Sequence, residues 1–441
     1  MNIGIVTTWF ESGAAYVSRQ YIRLLEPEHR VFVYARAGIR ADKRDGGWGM
    51  GDNVTYNPED LLITTYINKP QFIRWIRDNK IGVVFFNEQQ WWEPLKWCME
   101  LGIKTGAYID YYTEKTIPLF AAYDFLICNT RRHHSAFSWH PQCYYIPWGT
   151  DISLFRPAGS PINLNRPVTF FHSCGVDPLR KGTDILLEAF YNLVQSAKFK
   201  VQNDDSHLQI EDFTHVTRHV SRVTSRPTAN CQLIIHTQVP LEAQFPSLTD
   251  KIQELTASGK LQIVHKTIGA PGLYHLGDVY VYPSRLEGIG LTIAEALACG
   301  LPVILPDNPP MNEFVEDGKN GRLAKISRLH SRLDGYYWPL CITDSGHLSE
   351  IMNDLASNPE KLEKMKSEAR VYALEHLDWS KNKEQVLNAF VNSSPIPHPP
   401  FIVQQIDRFQ KFGFNKVYYY AYKLRPLTMP LSKIYSFIKN K

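Results

Sequence analysis

The feature that most constrains this chain is an alternation that runs twice. Short runs of apolar, β-branched and aromatic residues recur between longer segments of helical periodicity. Asn2–Thr7, Arg30–Ala35, Gly82–Phe86, Thr105–Ile109 and Phe125–Asn129 read as strands, with a helix from Gly13 to Leu25 after the first. Strands this uniformly apolar, separated by helices, call for βαβ units and a parallel sheet covered on both faces. The turn-rich stretch Ile146-Pro147-Trp148-Gly149-Thr150-Asp151, then Arg156-Pro157 and Gly159-Ser160-Pro161, marks a boundary. After it the alternation restarts. Val168–Ser173, Gln232–Thr237, Leu261–Lys266, Val279–Pro283 and Pro302–Leu305 read as strands, and Thr183–Leu193, Asp250–Ser258 and Leu291–Cys299 as helices. Beyond Asp344 the pattern is helical, over Gly346–Ser357, Glu360–His376 and Ser380–Val391.

This predicts an α/β chain with two Rossmann-like domains, 1–156 and 157–376, whose parallel sheets face an interdomain cleft. Ligands in such sheets bind at the carboxyl ends of the strands. Residues 377–394 hold a further helix, and 395–441 a proline-rich linker and tail. Two segments break the pattern: the loop Gly38–Asn53, rich in glycine, and the polar stretch 197–230, which reads as an insertion. The length of 441 residues suits roughly two or three domains at about 150 residues each. A 44% hydrophobic content supplies their cores and excludes a disordered, collagen-like or disulfide-scaffold chain.

Charge is unevenly placed. The net is +4, from 48 Lys and Arg against 44 Asp and Glu, so no overall basic field for nucleic acid exists and no nucleic-acid partner is expected. Residues 401–441 carry eight bases and only Asp407 as an acid, a net of +7, together with ten Phe and Tyr. The other 400 residues are mildly acidic at −3. A basic aromatic tail can lie on an anionic membrane surface or pack against the first domain with its lysines at the rim. The opening residues Met1 to Thr8 lack a basic n-region and a long apolar core, so a signal peptide is not expected. No run reaches the eighteen or so apolar residues of a membrane span. Seven cysteines, at 98, 128, 143, 174, 231, 299 and 341, form no Cys-x-x-Cys pair, which fits reduced thiols in the cytoplasm. Cys299 is expected on the buried side of its helix.

The chemistry concentrates in Tyr282-Pro283-Ser284-Arg285-Leu286-Glu287-Gly288-Ile289-Gly290-Leu291-Thr292-Ile293-Ala294-Glu295, continuing to Gly300-Leu301-Pro302-Val303. A strand ends at Pro283 and a Gly-x-Gly turn opens a helix near Leu291. Glycines let a ligand approach the backbone, and a helix start offers unpaired N–H groups and a positive dipole end. Together they suit a phosphate or diphosphate. Glu287 and Glu295 have two plainer readings: solvated acids, which helix starts attract, or a glycosidase-like pair some 5–10 Å apart. Spacing leaves both open.

The same stretch resembles the Glu-x7-Glu signature of retaining glycosyltransferases of family 4, which have the GT-B fold. The resemblance implies that Glu287 contacts hydroxyls of a donor sugar and Glu295 the ribose of a nucleoside diphosphate. It implies that backbone amides of Gly288, Ile289, Gly290, Leu291 and Thr292 meet the diphosphate and sugar. A second segment, Cys174-Gly175-Val176-Asp177-Pro178-Leu179-Arg180-Lys181-Gly182-Thr183, resembles the family's lysine-glycine motif. A fixed cation there steadies the departing diphosphate, and Lys181 is the candidate. The family's arginine five or six residues earlier is replaced by Gly175 and Val176; Arg180 either compensates or is an ordinary solvated residue. Weaker echoes are the 146–151 turn, with Trp148 where the family has asparagine, and the loop Glu313–Gly321.

On the acceptor side, Gly13 holds the loop position where the family sets small residues against the donor phosphate. After a strand like Thr105–Ile109 the family often has a catalytic-domain histidine; this chain has Asp110-Tyr111-Tyr112 there instead, and Asp110 is a candidate to take the proton of the acceptor hydroxyl or to bind the acceptor. His133 and His134, being adjacent, point to different helix faces and make no metal pair. No Asp-x-Asp tripeptide occurs, so no metal or other cofactor is expected. No complete Gly-x-Gly-x-x-Gly fingerprint occurs either, and Gly47-Trp48-Gly49-Met50-Gly51 lacks a strand–helix frame, which argues against a nicotinamide dehydrogenase. The implied protein is a retaining, metal-independent enzyme using a UDP or GDP sugar and a glycan, lipid-linked or small hydroxyl acceptor. In this family's fold the C-terminal helices cross back to the first domain. The alternatives are a nucleotide-sugar epimerase or phosphorylase, and a non-catalytic protein binding sugar nucleotides or polysaccharide.

Overall fold

A computed structural model describes residues 1–37, 53–58, 65–158, 166–206, 230–398 and 400–412. The glycine-rich loop, the 159–161 turn, most of the 197–230 stretch and the tail after residue 412 lie outside the described residues. The chain divides into two units: Met1–Ile146 with the residues from Lys381 onward, and Pro147–Ser380. The chain thus leaves the first unit inside the turn-rich stretch, at Ile146, ahead of residue 156.

The first unit is built on seven strands, β1 (Asn2–Thr7), β2 (Arg30–Ala35), β3 (Val54–Tyr56), β4 (Val83–Asn87), β5 (Lys104–Tyr108), β6 (Phe125–Cys128) and β7 (Cys143–Tyr145). Their order is β3-β2-β1-β4-β5-β6-β7, all parallel. β1 pairs Ile3 with Val31 on one side and with Val83 on the other. The strand order therefore reverses at β1, which opens a crevice at its carboxyl end. Ile3, Ile5, Val6 and Val84 are completely buried, which is why these strands read as continuous apolar runs. Ser12 caps the helix Gly13–Leu25 by accepting from the Ala15 amide.

The end of the chain belongs to this unit. Phe390, on the helix Lys383–Val391, packs its ring on those of Phe85 (4.9 Å) and Phe125 (5.3 Å). Lys104 Nζ donates to the Phe390 carbonyl at 2.7 Å. The helix Pro400–Phe412 buries Ile402 and Ile406. Gln410 accepts from the Trp92 amide, and Asp407 pairs with Lys96 at 2.6 Å. The first part of the basic tail is thus a packed helix, and its one acid is used in packing.

The second unit has six parallel strands, β8 (Val168–Gly175), β9 (Cys231–Thr237), β10 (Leu261–His265), β11 (Val279–Val281), β12 (Val303–Pro306) and β13 (Gly321–Ala324), in the order β10-β9-β8-β11-β12-β13. An antiparallel hairpin, β14 (Ile326–His330) and β15 (Leu340–Thr343), stands beside them. Phe170, Leu233 and Ile235 from the sheet and Leu186, Phe190, Ile351 and Met352 from the helices Thr183–Ser206 and Ser345–Ser357 form its core. The long helix thus continues past Leu193 into the stretch read as an insertion. Trp148 fills the turn by packing on Trp379 at 4.9 Å, and Thr150 exchanges backbone bonds with Leu377 and Trp379.

Three-residue β3 and β7, four-residue β13 and the hairpin of exposed β14 and half-buried β15 are too short or too weakly patterned to be read from sequence. Sequence reasoning also missed the helices Lys69–Asp78 and Glu93–Glu100, although Phe72, Trp75 and Ile76 repeat at helical spacing behind the Asn68 cap of the first. Cys299 departs from expectation: the helix is Leu291–Ala298, Cys299 is its half-buried C-cap, and Arg370 satisfies the Ala298 carbonyl at 2.6 Å. All seven cysteines are free thiols.

Candidate functional site

In the second unit, two loops at the carboxyl ends of neighbouring strands meet. β8 pairs with β11, Phe171 beside Tyr280, so the loop after β8 lies against the loop after β11. Gly182 makes the approach possible. It has φ +71, and a Cβ there would collide with the Pro283 carbonyl. The Arg285 amide donates to the Arg180 carbonyl at 2.8 Å, and its guanidinium grips Asp184 through two bonds of 2.8 and 2.7 Å. The β15 hairpin supports the same loop, Cys341 N donating to the Arg285 carbonyl.

The result is a knot of charge around Glu287, whose side chain is buried rather than solvated. Its Oε1 accepts from Lys181 Nζ (2.7 Å), Arg180 Nη1 (3.1 Å), Tyr282 OH (2.9 Å) and Ser284 Oγ (2.6 Å). Lys181 also donates to the Tyr282 hydroxyl, so Tyr282 passes a hydrogen bond from the lysine to the glutamate. Arg180 is anchored further by Asp177 and the Leu286 carbonyl, which excludes the free solvated reading.

Burial alone would raise the Glu287 carboxyl, but the charges of Lys181 and then Arg180, with their hydrogen bonds, pull it down to about 2. Burial lowers the Lys181 ammonium to about 8, against the opposing pull of Glu287. Burial also works against the Arg180 charge, yet Glu287 holds it above its ordinary value. At neutral pH two cations therefore converge on the one Glu287 carboxylate, with Asp177 pairing Arg180 at the exposed edge. Behind it His172 is buried neutral: burial lowers it to about 4. Its ring bonds the Val281 carbonyl and the Thr183 hydroxyl, both at 2.8 Å, so Nδ1 donates and Nε2 accepts.

Gly290, at φ +72, turns the chain into the helix Leu291–Ala298, and no side chain caps that helix. Ile293 N donates to the Gly290 carbonyl at 2.9 Å, which leaves the Leu291 and Thr292 amides as the ones a helix start can offer to an anion. Gly288, Leu291 and Thr292 are half-buried, whereas the Ile289 side chain is buried. Glu295 stands apart from the knot. Tyr274 OH donates to its Oε2 at 2.6 Å, and burial, only partly offset by that bond, raises the carboxyl to about 7. Tyr274, Tyr280 and Tyr282 form a row linking the two glutamates, with ring centroids 5.7 and 5.3 Å apart.

Gly13 and Asp110 belong to the first unit. Gly13 is the exposed first residue of its helix, and Asp110 lies half-buried just past β5. His133 is fully buried against Tyr112 OH at 2.8 Å. Among the described residues, no group of three or more His, Cys, Asp and Glu could hold a metal ion, and no helix is long and apolar enough to cross a membrane. Sequence reasoning missed Tyr274, Tyr282 and Ser284 as partners of the two glutamates. The signal available was the Tyr280/Tyr282 alternation, which puts both rings on one face of the strand.

Comparison with known proteins gives one match placed within the second unit. The family model described as "Glycosyl transferases group 1" matches residues 205–331. The spore coat protein SA of Bacillus subtilis is 27% identical over 151 residues, 32% of this chain and 36% of that protein. The UDP-N-acetylglucosamine–peptide N-acetylglucosaminyltransferase GtfA subunit of Streptococcus pneumoniae is 46% identical over 59 residues, 13% of this chain and 12% of that one. The matches thus span little more than a third of the first relative and about an eighth of the second. The crystal structure of Anabaena HepE with UDP and glucose superposes with a TM-score of 0.60 at 15% identity, covering 88% of this chain and 98% of that one. The two Rossmann-like units are those of the GT-B fold.

Proposed function

We propose that this GT-B chain, similar over 205–331 to group 1 glycosyltransferases, moves a sugar from a nucleoside-diphosphate sugar to an acceptor hydroxyl. The observation that carries the reading is the convergence of Lys181 and Arg180 on Glu287, just ahead of an uncapped helix start at Leu291. A departing nucleoside diphosphate gains negative charge. Preorganised cations and helix amides aimed at that charge are the largest source of rate in such a reaction. Lys181 and Arg180 supply the cations, the Gly288–Thr292 backbone the amides, Glu287 an acceptor for hydroxyls of the donor sugar, and Glu295 one for the ribose.

The donor is a UDP or GDP sugar. A relative named for UDP-N-acetylglucosamine and a fold neighbour holding UDP support this. Retention at the anomeric carbon and transfer without a metal rest on the family resemblance of the 282–303 stretch. The acceptor is a glycan, a lipid-linked sugar or a small hydroxyl compound, met by the first unit through Asp110, with Gly13 facing the donor phosphate. The protein works in the cytoplasm, with its tail against a membrane surface.

Incubating the protein with a panel of UDP and GDP sugars tests the reading by release of UDP or GDP. Release is expected from the wild type and lost in Glu287→Ala and Lys181→Ala, both still folded by circular dichroism. Full activity in either variant counts against the assignment. Nucleotide binding without release from any donor favours the non-catalytic binding protein instead.

A further inference from the structure

The carboxyl edge of the first unit's sheet holds a second polar cluster, of which only Asp110 is visible from sequence. β4 ends at Asn87 and β5 at Tyr108, and these two residues pair in register. Glu88 follows the first and Asp110 lies two residues past the second, so both carboxyls stand at adjacent strand ends, where parallel sheets take ligands. Glu88 is one of two non-glycine residues with positive φ among those described, at +53. Such backbone persists only where the flanks hold it, and it concentrates at functional sites. The flanks here are firmly held. Asn87 Nδ2 donates to the Ala14 carbonyl and Ser18 Oγ, and Gln89 Nε2 to the carbonyls of Thr65 and Trp91.

The carboxyls of Glu88 and Asp110 hydrogen-bond to each other, which requires one of them to carry a proton. Burial first, and then the Asp110 charge, raise Glu88 to about 8 against the pull of Arg36. At neutral pH the pair thus keeps one proton and one negative charge. Arg36, just beyond β2, is almost fully buried, and its Nη2 donates at 2.9 Å to the Asn87 carbonyl, the peptide leading into Glu88. Arg36 Nε, on the same guanidinium, is buried and has no partner among the described residues. The same holds for Asn87 Oδ1 and Gln89 Oε1 on either side of Glu88. Buried polar atoms are normally paired, so three orphans around one strained residue point to a ligand that brings its own donors and acceptors.

We infer that Glu88 and Asp110, backed by Arg36, form a carboxyl–carboxylate subsite for adjacent hydroxyls of a neutral sugar. The pair offers one O–H donor and several acceptor lone pairs, the complement of two neighbouring hydroxyls that each donate and accept. Two ionised carboxylates would offer acceptors alone, whereas the half-protonated pair carries a single negative charge. Arg36 balances that charge, which leaves no net attraction for a cation. That the sugar bound here is the acceptor rests on the transferase reading above; the subsite itself does not.

The test uses the full chain and a panel of methyl glycosides (glucoside, galactoside, mannoside and N-acetylglucosaminide), read by saturation-transfer NMR, with UDP and GDP thermal shifts alongside. At least one glycoside is expected to bind the wild type. Glu88→Gln and Asp110→Asn are each expected to weaken that binding by about tenfold or more, leaving the nucleotide shifts unchanged. With Glu295, which is itself held at about 7, replaced by Gln in every sample, an infrared band from a protonated carboxyl should persist at neutral pH while Glu88 and Asp110 are intact and vanish in Glu88→Gln. Glu88→Gly keeps the experiment decisive if the others misfold, because glycine accepts the positive φ: it should melt no lower than wild type yet lose glycoside binding. No glycoside bound by the wild type, unchanged binding in the variants, or no protonated band overturns the inference. Glycoside binding without any nucleotide shift leaves the subsite standing and removes the transferase reading.

Discussion

Replacing Lys181 by Met and Glu287 by Gln, singly and together, separates what their ion pair does for stability from what it does for chemistry. Glu287 sits at about 2 instead of 4.5, which favours its ionised form by about 3 kcal/mol at neutral pH. Lys181 falls from 10.5 to about 8, which disfavours its ammonium by about 3 kcal/mol. Both figures contain the same mutual attraction, so adding them counts it twice, and the pair is at best neutral for folding. Lys181→Met alone leaves a buried carboxylate with Arg180 as its remaining cation, and Glu287→Gln alone leaves two half-buried cations facing an amide. Breaking a buried pair in this way costs about 3 kcal/mol, whereas removing both partners costs little. In a unit the size of Pro147–Ser380, that is a fall in Tm of about 6–12 °C for each single variant. The double variant should return to within about 3 °C of wild type. Differential scanning calorimetry gives the four melting curves, and nucleotide release from the active donor gives the four activities, with all three variants inactive. A double variant that loses the sum of the two single losses would refute the reasoning, because the pair would then be a net source of stability.

Other parts of the molecule make separate demands. The folded state holds Glu295 at about 7 against an ordinary 4.5, so it binds the extra proton between those values, and stability falls as pH rises through that window. Glu295→Gln should therefore melt close to wild type at about pH 4 and above it at about pH 8; a constant difference would reject burial as the cause. Gly182→Ala forces a side chain onto the Pro283 carbonyl at φ +71 and should cost about 3 kcal/mol or more, seen as a lower Tm together with lost nucleotide release. Residues 413–441 carry six Lys and Arg and no acid. The full chain should sediment with phosphatidylserine vesicles at low salt and be released at high salt, while a chain ending at Phe412 stays in the supernatant; equal sedimentation of both would sink the membrane proposal.

Much of this architecture is legible in the residues themselves, because a strand buried on both faces writes its burial into consecutive positions. β1 and β2 occupy the spans read from sequence, β4 and β12 are shifted from theirs by one residue, and β8 and β9 differ by one or two residues at one end. The helix after Asp344 begins where that side chain accepts from the His347 amide. Glu287, Glu295 and Lys181 stand out for the same local reason, each in a strand–turn–helix context a few residues long. Cys299 was misread because the exposure of a helix end depends on what packs there, and Arg370 reaches the Ala298 carbonyl from far along the chain.

What the sequence determined by itself is therefore the pair of parallel α/β units and the segments in which chemistry could sit. Only the tertiary structure decided which groups share an atom. Arg180, Lys181, Tyr282 and Ser284 meet on one oxygen of Glu287 because β8 lies beside β11, and Glu88 meets Asp110 because β4 lies beside β5. Periodicity records whether each residue faces solvent or core. Strand adjacency is set by packing across the whole sheet, and it leaves no mark at the positions it brings together.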